Sequence, residues 1–109
     1  MSFSIATVEK CCRQSGAYVD RIPGIGSDQS KFYISQTGVF GKFSVDGNVI
    51  KVLYQLVDPS TDQNLPPVHK TFTDLDAWST FCVQLQDPAQ VSLFFADAFD
   101  PSLLDNEEV

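Results

Sequence analysis

Residues 39–56 read VFGKFSVDGNVIKVLYQL, and this stretch decides the fold. Val39, Gly41, Phe43 and Val45 fall on one side of a strand, and Ile50, Val52, Tyr54 and Leu56 on the matching side of a second. A period of two means a pleated strand with one face on a core. Between the strands lies Asp46-Gly47-Asn48, a short-range hairpin signal. Two registers compete. With Asp46-Gly47 as the loop, Lys42 would stand directly opposite Lys51, a repulsive cross-strand pair. With Gly47-Asn48 as the loop, Val45 meets Ile50, Phe43 meets Val52, and Lys51 faces Ser44. The second is the expectation, and in either case both lysines share the outer face.

Working outward, Phe32 and Ile34 alternate with Tyr33 and Ser35, and Gln36-Thr37-Gly38 turns that strand into the hairpin. Downstream, residues 58–67 form a polar connection, and Val68 to Phe72 is a short strand. Pro66-Pro67 just ahead of it suits a sheet edge, where a missing N–H breaks no ladder. Upstream, Ile5, Val8, Cys11 and Cys12 recur at helical spacing over about residues 4–15, Glu9 and Arg13 form an i,i+4 pair, and Gly16 supplies the stop. Residues 21–28 are dense in turn formers. Gly24-Ile25-Gly26 lacks the third glycine and the Lys-Ser/Thr ending of a phosphate loop.

Two helices close the chain. Thr73 is the expected N-cap of the first, with Asp74 and Asp76 in its first turn and Leu75, Trp78, Phe81, Cys82 and Leu85 as its apolar stripe. Asp87-Pro88 caps the second, whose apolar side carries Val91, Phe94, Phe95, Ala98 and Phe99. The expected fold is α+β: an N-terminal helix, a three- to four-stranded antiparallel meander, and two C-terminal helices packed on one face of the sheet. One domain would span residues 1–102, with a mobile acidic tail at 103–109.

Charge is the functional signal. Residues 1–70 carry all seven Lys/Arg against six Asp/Glu, a net of +1, and residues 71–109 carry eight acids and no base, giving −7 in total. With that balance and a pI near 4.3, general binding to nucleic-acid phosphates or to anionic membranes is disfavoured. The sequence shows neither a signal peptide nor an apolar run of membrane-spanning length. Cys11, Cys12 and Cys82 are an odd count, and the adjacent pair bridges poorly, so all three read as reduced thiols in a cytoplasmic protein.

Chemistry has few carriers. His69 is the only histidine and has no metal-ligand spacing to the cysteines, so neither a metal nor another cofactor is implied. A Cys82–His69 nucleophilic pair would need an oxyanion loop that the sequence does not announce. The principal expectation is a non-enzymatic protein-binding module. Its C-terminal helices would present Asp87, Asp97 and Asp100, with Glu107 and Glu108 behind them, to a partner with a basic surface. In size, acidity and helix–meander–two-helix order the chain resembles some anti-CRISPR proteins and other small inhibitors associated with phages, plasmids and gene cassettes. That resemblance implies inhibition of a nucleic-acid-handling machine. The alternatives are a small-ligand site or minor enzyme with a pocket lined by Tyr33, Tyr54, His69 and Trp78, and a structural homodimer that covers surplus aromatic surface.

Overall fold

The computed structural model describes residues 3–24, 28–58 and 60–99. At its centre β3 (Phe40–Asp46) pairs antiparallel with β4 (Val49–Gln55), matching Val45 with Ile50, Phe43 with Val52 and Ser44 with Lys51. The loop is therefore Gly47-Asn48. Gly47 sits at φ 63° at the first loop position, a left-handed conformation that glycine adopts without a Cβ clash.

Three further strands extend the hairpin. β1 (Tyr18–Arg21) and β2 (Gln29–Tyr33) lie on one side and β7 (Val68–Phe72) on the other, giving the antiparallel order β1-β2-β3-β4-β7. The sheet thus has five strands rather than three or four. The additional one is β1, whose four residues show a single buried position and adjoin the turn-rich stretch at 21–28. β7 occupies an edge, which suits the Pro66-Pro67 pair just ahead of it. The connection at 58–67 is also more ordered than expected, since β5 (Val57–Asp58) and β6 (Gln63–Asn64) form a small separate hairpin.

The described helices lie on one face of the sheet. α1 (Ile5–Gln14) starts at Ser4, whose hydroxyl accepts from the Thr7 N–H, and it buries Ile5, Val8, Glu9 and Cys12. α2 (Leu75–Gln84) is capped by Asp74 rather than Thr73: the Asp74 carboxylate accepts from the Asp76 N–H at 2.9 Å. α3 (Pro88–Phe94) is capped by Asp87, whose carboxylate accepts from the Ala89 N–H at 2.9 Å, and it tightens into a 3-10 helix over Phe95–Phe99. None of these helices is long and apolar enough to cross a membrane. The expected boundary at residue 102 and the tail at 103–109 lie outside the described residues.

The core fills the space between sheet and helices. Phe43 packs on Trp78 at 5.1 Å between ring centroids, Phe72 on Phe81 at 5.1 Å, and Tyr54 on Phe81 at 5.3 Å, making one continuous aromatic layer. Such pairs contribute about 0.5–1.5 kcal/mol each beyond the burial of their area. Trp78 is 1% exposed, and its indole N–H donates to the Val8 carbonyl at 3.1 Å, which joins α2 to α1. Glu9 does not pair with Arg13. It turns into the core and accepts from Arg21 Nη2 at 2.7 Å, Arg21 Nε at 2.8 Å and Ser30 Oγ at 2.6 Å. Arg13 instead donates to the Val19 carbonyl.

Candidate functional site

Of the acids expected to form a docking ridge, the two among the described residues, Asp87 and Asp97, have separate structural tasks. Asp87 is exposed and caps its own helix. Asp97 is half-buried and pairs with Lys70 at 3.2 Å. Lys70 comes from the inner face of β7, where it is the cross-strand partner of Val52. Its ammonium also lies over Phe94 at 4.6 Å and Phe81 at 5.5 Å from the ring centroids, an arrangement that pins the 3-10 helix to the sheet. Asp100, Glu107 and Glu108 lie outside the described residues.

The four residues of the alternative pocket are not brought together. Tyr54 and Trp78 are buried on the inner face, whereas Tyr33 and His69 are exposed on the opposite face as cross-strand partners of Phe40 and Leu53. Tyr54 packs against Phe81, and its buried hydroxyl has no partner among the described residues. Burial first, and then the Asp97 charge, push that phenol well above its usual range. Cys82 is buried in α2, so the sheet stands between its thiol and His69. A hydrogen bond with Cys12, followed by burial, raises the Cys82 pKa and disfavours the thiolate that a nucleophile needs. All three cysteines are free thiols. Among the described residues no three His, Cys, Asp or Glu side chains converge on an ion site.

The face that the sequence reading passed over is the outer one. By alternation, β1 to β4 direct Tyr18, Tyr33, Phe40 and Leu53 away from the helices, together with Lys31, Lys42 and Lys51. Tyr18 is 67% exposed and Tyr33 47%, and their rings stack at 6.4 Å with 22° between planes. Beside them is an open trough of about 320 Å³. Half-buried Ile22, Phe40, Leu53 and Pro67 line it along with exposed Lys31 and Lys42. A second depression of about 500 Å³ shares Phe40 with the trough, is bordered by Tyr33, and reaches the β5–β6 hairpin at Val57 and Asn64. No described helix covers this face.

Its electrostatics are uneven. Lys31 stands directly opposite Lys42 in the β2–β3 register, with Asp20 on the far side of Lys31. Lys51 makes a long, exposed pair with Asp46 at 3.6 Å. Neither Lys31 nor Lys42 is in an ion pair among the described residues. The outward phase of the hairpin was the available signal: Lys42 and Lys51 were readable as sharing a face. Without β1, however, nothing linked that face to Tyr18, and without the β2–β3 register nothing set Lys31 beside Lys42. Comparison of the chain with protein-family models, with curated proteins and with solved structures returns no match.

Proposed function

We propose that this chain is a non-enzymatic protein-binding module that engages its partner through the open face of the sheet. The observation that carries this reading is the stacked, solvent-exposed Tyr18–Tyr33 pair beside half-exposed Phe40 and Leu53. Aromatic side chains grouped on an uncovered face suit an interface, because each supplies much contact area at little entropic cost. The inner face supports the same reading from the other side, since its large aromatics are spent on packing. A cytoplasmic setting, which keeps Cys11, Cys12 and Cys82 reduced, accords with it.

Inhibition of a nucleic-acid-handling machine through the acid-rich C-terminal third is a finer form of the proposal. Its support is that Asp74, Asp76 and Asp87 are exposed. It takes second place because Asp97 is engaged by Lys70 and Asp87 serves its own helix.

The test is site-directed photo-crosslinking in extract of the source cells. A benzophenone side chain at position 33 is compared with one at position 83, where Val83 is 59% exposed on the helical side. A discrete protein adduct should form from position 33 alone. Excess wild-type protein should suppress it, and excess Tyr18→Ser/Phe40→Ser protein should not. Equal adducts from both positions, or none from either, would remove the sheet face as the interface.

A further inference from the structure

Like charges placed directly opposite on adjacent strands destabilise a sheet. Lys31 and Lys42 are so placed, on the outer faces of β2 and β3, and both line the trough whose remaining walls include Ile22, Phe40, Leu53 and Pro67. Apolar walls exclude water from whatever fills the space, and a carboxylate lying between two ammonium groups would relieve their repulsion. We propose that this trough binds a short acidic segment of a partner protein, with an apolar side chain seated against Phe40 and Leu53 and a neighbouring carboxylate held between Lys31 and Lys42. The inference rests on the module reading above and adds the chemistry of the partner.

Charge also argues against the other polyanions. The face carries three lysines, and Asp20 and Asp46 share its strands, so a nucleic-acid backbone would meet acids as well as bases. Phosphate binding relies on many uncompensated contacts. The net charge of −7 also repels a long acidic run once it comes within the screening length of about 8 Å at physiological salt, where it would meet the protein's other carboxylates. The occupant is therefore a segment with one or two acids beside apolar side chains, recognised at contact range.

The experiment is a titration of the full chain, followed at the backbone amides of Lys31, Lys42 and Leu53. The probes are two synthetic hexapeptides of the same Phe and Leu pattern, one with Glu and one with Lys at the intervening positions. The acidic peptide should bind about tenfold more tightly than its lysine counterpart, with shifts confined to the outer face of β2 to β4. Lys42→Glu should weaken it about tenfold or more while raising the melting temperature, because it replaces a like-charge pair by an opposite one. A merely structural lysine would not move both readouts in those directions.

Equal binding of the two peptides, or undiminished binding to Lys42→Glu, would overturn the proposal. Tighter binding by a peptide of residues 100–109 would assign the trough to this chain's own sequence, and tighter binding by a thymidine decamer would assign it to nucleic acid. Either result would also overturn it. If the position-33 adduct forms while the acidic peptide fails, only the partner chemistry falls. If both fail, the module reading falls with it.

Discussion

Glu9 is 3% exposed, and its charge is held from three directions by Arg21 and Ser30. The Arg21 hydrogen bonds lower its pKa from the ordinary 4.5 to about 2, overcoming the burial that would raise it. Because the folded protein takes up this proton later than the unfolded chain, the stabilisation is complete above about pH 4.5 and is lost as pH falls toward 2. Arg21 is 46% exposed, so solvent screening discounts the pair's contribution. Glu9→Gln should therefore unfold at lower urea than wild type near pH 7, and the gap should close at about pH 2. A gap that is constant over that range would mean the carboxylate is not held as described. The sequence offered Glu9 a partner one helical turn away, in Arg13. The fold gave it one twelve residues on, across the α1–sheet seam, because α1 turns that side inward.

The β3–β4 hairpin contains two glycines with different reasons to be glycine. At Gly47 the left-handed turn requires it, and a Cβ there would meet nothing within 4 Å. At Gly41 a Cβ would run into the Leu53 carbonyl and approach Tyr54 Cα to 2.7 Å, so the β4 backbone itself would have to move. Gly47→Ala should cost about 1 kcal/mol. Gly41→Ala should cost about 3 kcal/mol or more, since overpacking against backbone has no flexible side chain to absorb it. Denaturant midpoints at unchanged slope would check the order, and a reversed order would contradict the strand geometry. The turn, the register and the cap at Asp87-Pro88 were legible in the sequence, since each depends on residues within a few positions of one another. The cap of α2 was not. Thr73 and Asp74 are both good capping residues, and only the path of the chain out of β7 selects the second.

Among the described residues, the sheet divides the molecule into a face packed against helices and a face that no helix covers. Phe43→Ala, on the inner side, should cost about 3–5 kcal/mol. Tyr33→Ser, on the outer side, should change stability by less than about 1 kcal/mol, because it removes only an exposed cross-strand contact. Thermal denaturation of the two variants would decide, and similar losses would mean that the outer aromatics serve the fold. The sequence by itself determined the α+β class, the meander, the edge position of β7 and the inward set of Phe43, Ile50, Val52 and Tyr54, because periodicity and turn chemistry are local properties of the chain. Only the tertiary structure decided that β1 extends the sheet, that Lys70 draws Asp97 inward, that Tyr33 and His69 stand apart from Tyr54 and Trp78, and that Lys31 confronts Lys42 beside an uncovered apolar trough. The physical reason is that a side chain's neighbours across strands and layers follow from which elements pair, and the charge count along the chain holds no record of that pairing.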